Sequence, residues 1–459
     1  MAKKKQIELT IEEKLQNALV PKEEQPYKIP SNWCWSYWKY CGKFIAGNGF
    51  KNIYQGFTQY DIPYYKVGSL KFCDEGNYLI DETNTINKEI RTKLKAVKIP
   101  VNSIIFAKIG EAIKLNRRCL NKIECCIDNN LMAFISEKYF YKYIFYWTKS
   151  LNFYELTNAT TVPALRKTDL ENIPIPLPPL NEQQRIVNII ESLFVKLDRA
   201  KELIENTLAQ FEQNKMAILH KAFTGELTAK WRKENNIDLS SWQDYQLKDI
   251  CEKITDGTHN SPINTDLGDY MYITAKNIKE EGIDLSKITY VSSDIHEKIY
   301  ARCNVEFGDV LYIKDGATTG IATINTIKEQ FSLLSSVAVL KPKKNKLLAK
   351  YLVYKLNSNE VRNMMINNMS GVAITRLTLT KIKQAKMKFP TIEEQQEIVN
   401  ILDNLLAKYN KIKNLEQQLE KIELLKKAIL AKAFRGELGT NNPDEESAEN
   451  LLKEILAEK

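Results

Sequence analysis

The feature that most constrains this chain is that it contains itself twice. Glu182-Gln-Gln-Arg-Ile-Val-Asn-Ile-Ile-Glu-Ser-Leu-Phe-Val-Lys196 returns 212 residues later as Glu394-Gln-Gln-Glu-Ile-Val-Asn-Ile-Leu-Asp-Asn-Leu-Leu-Ala-Lys408, identical at nine of fifteen positions. Each copy closes on a second match, Ala217-Ile-Leu-His-Lys-Ala-Phe-Thr-Gly-Glu-Leu227 against Ala428-Ile-Leu-Ala-Lys-Ala-Phe-Arg-Gly-Glu-Leu438. The spacing between the matched ends differs by a single residue, so the chain is a tandem duplication. Whatever fold one half adopts, the other half must adopt a version of it.

Each repeated segment reads as one long helix. In the second copy Ile398, Ile401, Leu405, Lys408, Ile412, Leu415, Leu419, Ile422, Lys426 and Ile429 step by three and four, and eight of the ten are apolar. That is the pattern of a coiled-coil seam. Ile186, Ile190, Leu193, Leu197, Ala200 and Ile204 keep the same step in the first copy. Proline precedes each helix (Pro178-Pro179, Pro390) and Gly225 or Gly436 follows it, as start and stop signals require. About 40 residues at 1.5 Å each predict a rod of roughly 60 Å.

The other texture is β-rich. Residues 27–178 and 242–389 hold short runs such as Asn102-Ser-Ile-Ile-Phe-Ala107 and Asp309-Val-Leu-Tyr-Ile313, and each has one aromatic, helix-like stretch, near 137–153 and 347–365. They align faintly through Trp33 and Trp242, Phe106 to Gly110 and Tyr312 to Gly316, and Leu165 and Leu377. The expected organisation is an N-terminal segment (1–26) with a short helix over Thr10 to Leu19, a first globule (27–178), a central helix (179–228) and a linker (229–241). A second globule (242–389), a C-terminal helix (390–439) and an acidic tail (440–459) follow. The fold class is α+β: two globules joined by two long antiparallel coiled-coil helices, related by pseudo-two-fold symmetry. Antiparallel packing follows if each globule begins and ends at one place, as domain termini commonly do.

Charge narrows the partners. The net charge is +9, and residues 441–459 carry six acids against two lysines, so the remainder carries +13. An excess of that size points to a polyanion, nucleic acid being the commonest. Eight cysteines without a C-x-x-C pair exclude a zinc site of ordinary spacing and fit reduced thiols. No apolar window reaches the roughly 18 residues of a membrane span, and no apolar signal core follows Met1-Ala2-Lys3-Lys4-Lys5, so a cytoplasmic protein is expected.

Catalytic signatures are missing. The sequence has no G-x-x-x-x-G-K-[ST] loop, no G-x-S-x-G elbow and no H-E-x-x-H. His220, His259 and His296 are scattered, and Pro178-Pro179-Leu180 lacks both the polar residue and the aromatic of an amino-methylating loop. The expectation is a non-catalytic chain with no metal and no cofactor.

Taken together, the two Pro-x-x-[Asn/Glu]-Glu-Gln-Gln starts (Pro178 to Gln184, Pro390 to Gln396), the two Lys-Ala-Phe-x-Gly-Glu-Leu ends (Lys221 to Leu227, Lys432 to Leu438) and Gly308-Asp-Val-Leu-Tyr-Ile-Lys-Asp-Gly316 give a chain that resembles the specificity subunit of type I restriction-modification systems. The first globule departs from the last motif, with Lys108-Ile-Gly110 preceded by Ile99-Pro-Val-Asn-Ser. The resemblance implies that the globules are target recognition domains reading a bipartite, asymmetric site in double-stranded DNA. It also implies docking of two methyltransferase subunits and of restriction subunits. A stand-alone bipartite DNA-binding regulator and a coiled-coil protein-interaction scaffold are the alternatives.

Base reading needs Arg, Lys, Asn, Gln, Ser or Thr on loops that face a groove, and phosphate contacts need mainly Lys and Arg. The DNA-binding candidates are Lys66, Ser69, Lys71, Lys108, Lys114, Asn116, Arg117 and Arg118 in the first globule. In the second they are Lys276, Asn277, Lys279, Arg302, Lys314, Thr318, Thr319 and Arg376. Phe194, Phe223, Leu406 and Phe434 are candidates for docking partner helices or, equally, for closing the core beside the globules. The aromatic run Tyr139 to Trp147 is expected in the core, because Phe140, Ile144, Trp147 and Leu151 fall at helical spacing.

Overall fold

The computed structural model describes residues 10–157, 162–367, 376–410 and 413–458. The chain divides into two compact units, Met1–Glu202 with Gln418–Lys459, and Leu203–Gln417. Each unit therefore holds one β-rich domain, the start of one long helix and the end of the other.

The two domains are built alike. In the first, four antiparallel strands lie in the order Gly42–Ala46, Leu131–Ser136, Ile104–Ala107, Arg118–Leu120. In the second the order is Cys251–Asp256, Val337–Pro342, Val310–Ile313, Ala322–Ile324. A three-stranded sheet accompanies each, Thr85–Ile86, Ile62–Tyr65, Cys126–Ile127 in one and Thr289–Val291, Tyr270–Ile273, Ser332–Leu333 in the other, and in both the last pair is parallel. Ile104–Ala107 and Val310–Ile313 lie inside their sheets and are buried throughout, which is why these strands read as unbroken apolar runs.

Each domain closes on itself. Its first strand pairs antiparallel with its last, Cys34–Tyr37 with Pro174–Leu177 and Gln243–Gln246 with Lys386–Phe389. The chain thus enters and leaves each domain at one place. The aromatic run forms the helix Tyr141–Ser150, with Tyr143 to Trp147 buried. Trp38, the centre of the first core, has the rings of Phe44, Phe134 and Trp147 within 5.0 Å.

The first long helix runs unbroken over Leu180–Thr224, 45 residues. The second comprises Ile392–Asn410 and Lys413–Phe434; Ile412 of the predicted seam lies outside the described residues. Within the first unit the helices run antiparallel, since Asp198 pairs with Lys426 at 2.5 Å and Lys201 with Glu423 at 3.4 Å. Ile186, Val187 and Ile190 of one helix and Leu430, Ala433 and Phe434 of the other enter the same domain core. In the second unit Leu219, Ala222 and Phe223 join Ile398, Val399 and Leu402 in the same way.

The acidic C-terminal segment is not a free tail. It forms the helix Ala448–Ala457, whose Ala448, Leu452, Ile455 and Leu456 enter the first core beside Leu15 and Ala18 of the helix Ile11–Ala18. That N-terminal helix starts in a Thr10–Glu13 capping box, which satisfies two of its free backbone donors. The amphipathic stretch is thus covered within its own chain, and the basic Met1 to Lys5 start lies outside the described residues. No described helix is long and apolar enough to cross a membrane.

Candidate nucleic-acid interface

The repeated motifs are locks that fix each domain to its two helix segments. Glu182 is fully buried; its carboxylate accepts hydrogen bonds from Trp33 Nε1 (2.8 Å), Thr440 Oγ1 (3.0 Å) and Asn441 Nδ2 (3.1 Å). Glu394 repeats the arrangement with Trp242 Nε1 (3.0 Å) and Thr228 Oγ1 (2.6 Å), and adds Arg232 Nη1 at 2.6 Å. In each case the Trp comes from the domain, the Glu from the start of one long helix and the Thr from just past the end of the other. The next residue ties the helix to the domain. Gln183 donates to Pro178 O and accepts from Phe140 N, and Gln395 donates to Pro390 O and accepts from Leu348 N. The turn that brings the Thr round needs the glycine. Gly225 and Gly436 have φ of +85° and +75°, and a Cβ there would strike Leu239 and Pro30.

This frame presents a rim of loops at one end of each pair of sheets. In the first domain Lys108 N donates to Asn130 O, Asp128 N to Tyr65 O, Asn48 N to Ile127 O and Gly110 N to Pro163 O. The segments around 48, 66, 108, 129 and 163 therefore converge. In the second, Lys314 N donates to Ser336 O, Ala275 N to Ser336 Oγ, Thr258 N to Leu333 O and Leu377 N to Lys314 O, gathering 258, 275, 314, 335 and 377. Loops held on a rigid sheet end are suited to recognition, since their side chains can differ without disturbing the frame beneath.

The predicted DNA-binding residues divide on this rim. Lys71, Lys114 and Arg117 are exposed, and Lys66 and Lys108 half-buried. Lys66 Nζ donates to Gln55 Oε1 at 2.7 Å, and Lys114 pairs with Glu111 at 2.7 Å. In the second domain Lys276, Lys279, Arg302, Thr318 and Arg376 are exposed.

Six others are internal supports. Arg118 is not in a polar loop; it begins a strand, is 3% exposed, lies 3.7 Å from the Phe153 ring and donates to Leu151 O and Asn116 O. Burial pulls its pKa down to about 9, which leaves it charged at neutral pH. Asn116, at φ +52°, braces the same turn by donating to Leu151 O and accepting from Phe153 N. Ser69 and Asn277 are buried and accept from the backbone N–H groups of Lys66 and Thr274. Thr319 is buried and donates to Gly316 O. Lys314 is buried between Asp315 (2.7 Å) and Asp256 (3.6 Å), and the exposed Arg302 pairs with the same Asp256 at 2.6 Å. A loop letter that is polar serves the loop's own backbone as readily as a ligand, and the sequence does not separate the two.

The docking candidates divide too. Phe223 and Phe434 close the cores rather than offering a surface: Phe434 is 2% exposed against Tyr143 (5.4 Å), and Phe223 is buried against Tyr351 (5.6 Å). Phe194 and Leu406 are half-buried. Exposed aliphatic residues on the described parts of the long helices are instead Leu180, Val195, Leu203, Leu424 and Leu425. Sequence reasoning also missed apolar loop residues beside the rims. Ile53 in the first domain and Ile263 and Leu267 in the second are 70%, 85% and 85% exposed; hydrophobic letters read as core, and no spacing signal marks these. Among the described residues no three His, Cys, Asp or Glu side chains gather to hold a metal.

Comparison with known proteins agrees with this architecture. The family described as type I restriction modification DNA specificity domain matches residues 51–212 and 240–424. The EcoBI specificity subunit of Escherichia coli is 29% identical over 330 residues, covering 66% of this chain and 68% of that protein. The EcoKI specificity subunit of Escherichia coli strain K12 is 26% identical over 318 residues, with the same shares. Among solved structures, a chain from work on complex assembly and conformational transition of the type I R-M system covers 90% of this chain and 100% of its own length, with TM-score 0.65 and 19% identity. The crystal structure of the HsdS subunit from Thermoanaerobacter tengcongensis has the same coverage and identity with TM-score 0.51. At that identity the two structures speak to the fold.

Proposed function

This chain belongs to the type I restriction-modification DNA specificity family and supplies the DNA specificity of such a system, and from that premise we propose that it reads a split, asymmetric site in double-stranded DNA. The observation that carries the reading is the doubled frame with unlike rims. Two domains share sheet order and lock chemistry, yet one rim bears Lys71, Lys108, Lys114 and Arg117 and the other Lys276, Lys279, Thr318 and Arg376. Equal frames with unequal loops are what two different half-sites require. The 45-residue helix Leu180–Thr224 connects the two domains along the chain. Lys66 and Arg302 sit at the margins of the reading set, and Arg118, Asn116, Ser69, Asn277, Thr319 and Lys314 hold its loops in shape.

In this reading methylation and cleavage belong to other chains, two methyltransferase subunits and restriction subunits, and the assembly works in the cytoplasm. Phe194, Leu406, Val195, Leu424 and Leu425 are the docking positions on the helices. Methylated adenines mapped in the DNA of cells with and without this chain test the reading. A split motif that vanishes with the chain is expected, and an unchanged methylation pattern sinks it. Copurification separates the regulator alternative, since a monomer that binds its site tightly without methyltransferase subunits would favour it. Salt titration separates the scaffold, because phosphate neutralisation makes affinity fall steeply with ionic strength.

A further inference from the structure

Cys73 and Cys119 are 46 positions apart in sequence, and their Sγ atoms stand 2.7 Å apart. Cys119 is the buried middle residue of the strand Arg118–Leu120, with its Sγ also 3.5 Å from Leu70 O. Cys73 is half-buried and bridges to Leu79, so it is the member of the pair that solvent reaches. The other six cysteines are buried.

The surroundings favour a reactive thiol on Cys73. Its pKa is lowered, first by the hydrogen bond with Cys119; burial works against this, the positive charge of Lys149 adds to it, and Asp74 opposes more than Arg117 contributes. Cys119 is pushed the other way by the same contact and by burial. Lys149 is fixed by Asn77 and lies 4.8 Å from the Phe145 ring; burial lowers its pKa to about 8, so it remains largely cationic at neutral pH. A partly accessible thiol under positive charge, with a second thiol in contact, is the arrangement of an attacking and a resolving cysteine.

We propose that Cys73 and Cys119 form a peroxide-sensitive dithiol whose disulfide joins a loop segment of the first domain to a buried strand of its sheet. The Cys73 thiolate attacks one oxygen of hydrogen peroxide, the O–O bond breaks, and the departing hydroxide takes up the thiol's proton as water, leaving a sulfenic acid. The Cys119 sulfur then attacks the Cys73 sulfur, the S–O bond breaks, and a second water leaves with the Cys119 proton. Two thiols are oxidised to one disulfide while one peroxide is reduced to two waters. A small thiol reverses the bond by exchange.

The bond would link the segment that follows Lys66–Lys71 to the strand that follows Lys114–Arg117. The second domain has no such device, because Thr323 opposes Leu311 where Cys119 opposes Ile105. Oxidation would therefore act on one domain only.

The test uses the full, reduced chain treated with a small molar excess of hydrogen peroxide, digested without reductant and examined by mass spectrometry. A linked Cys73–Cys119 peptide pair, two hydrogens lighter and released by dithiothreitol, is expected, with hydrogen exchange slowed around 66–80 and 108–119 but not around 274–277 and 314–320. In a Cys119→Ser variant Cys73 should stop at a sulfenic acid that dimedone traps. Overturning results are Cys73 and Cys119 both remaining alkylatable, or Cys73 passing to sulfinic acid in the parent chain with no linked peptide.

Discussion

At the same turn of the same helix the first unit places Trp147 and the second places Lys355. The register is fixed by the tyrosine four residues earlier, since Tyr143 packs on Phe434 at 5.4 Å and Tyr351 on Phe223 at 5.6 Å. Trp147 completes a cluster of rings around Trp38. Lys355 is 4% exposed and its Nζ faces the rings of Phe223, Phe389, Trp242 and Tyr351 at 4.8 to 5.9 Å. The buried glutamates differ as well, since Glu394 has a buried arginine partner and Glu182 has neutral donors. Duplicated frames thus keep their topology while the chemistry of their interiors drifts. Whether a given polar group stabilises its unit depends on its partners, not on its place in the repeat.

The largest expected effect breaks the glutamate pair. Glu394→Ala leaves the Arg232 guanidinium buried without its carboxylate, which costs roughly 3–5 kcal/mol. Glu182→Ala removes acceptors from Trp33, Thr440 and Asn441 only, and should cost about 1–3 kcal/mol. Hydrogen-exchange protection of the helix segments in each unit measures both. Equal losses would mean that Arg232 adds nothing. Arg232→Met combined with Glu394→Gln should recover much of the larger loss.

Lys355→Met sharpens the second contrast. Burial holds the Lys355 ammonium down at about 8, partly opposed by Glu360, against about 10.4 in an unfolded chain. Between those values the unfolded chain keeps a proton that the folded one has released, so the stability of this unit rises with pH through that window. Below it the full penalty remains, on the order of 3 kcal/mol. The variant should therefore stabilise the second unit by about 1–3 kcal/mol at pH 7 and flatten the rise between pH 8 and 10.5. Denaturation of both proteins at pH 7 and pH 10 decides it, and a variant less stable than the parent at pH 7 would show that the four rings offset the burial.

These contrasts also mark what the sequence disclosed. The duplication, the helices and the β-rich domains were legible because repeats, three-four steps and unbroken apolar runs are properties of the chain itself. The meaning of Glu182 and Glu394 was not, although both were visible as repeated letters, because their role depends on Trp and Thr residues about 150 and 260 positions away in one unit and 152 and 166 in the other. Arg117 and Arg118 are adjacent and alike as letters. Arg117 precedes the strand and stays exposed, while Arg118 begins a strand that is buried throughout. The role of the acidic segment was not legible for a related reason: its net charge hides a helix whose Leu452, Ile455 and Leu456 are buried in the first core.

The rims allow each domain to be altered alone. Ile263→Ser with Leu267→Ser should change the second half of the methylated motif and leave the first intact, and Ile53→Ser the reverse. Lost burial of a thymine methyl is worth roughly 0.8 kcal/mol, a factor of about 4, and a lost bidentate base contact roughly 1–3 kcal/mol, a factor of about 5 to 150. Arg117→Ala should weaken the first half-site by a comparable factor, whereas Thr318→Ala acts on the second. Motif mapping on the variants reads all of them, and a substitution that degrades both half-sites equally would count against independent readers.

The smallest effect separates two copies of one lysine. Lys426 and Lys215 occupy matching positions 211 residues apart, and their partners differ. Lys426 reaches Asp198 on the neighbouring helix, a carboxylate 58% exposed, while Lys215 reaches Glu280 in the domain at 2.8 Å, and Arg362 shares that carboxylate at 3.6 Å. Exposed pairs contribute about 0–1 kcal/mol and fade with salt. Asp198→Asn should therefore cost at most about 0.5 kcal/mol, vanishing at high ionic strength. Glu280→Gln should cost more, about 1 kcal/mol, because it leaves two half-buried cations without their shared acid. Lys426→Ala should exceed Asp198→Asn, since its ammonium also lies over the Phe194 ring at 5.3 Å, a cation–π contact that Asp198→Asn leaves in place. A double-mutant cycle at low and high salt divides the ionic share from the packing share, and identical salt dependence at Asp198 and Glu280 would mean that the two lysines are equivalent after all.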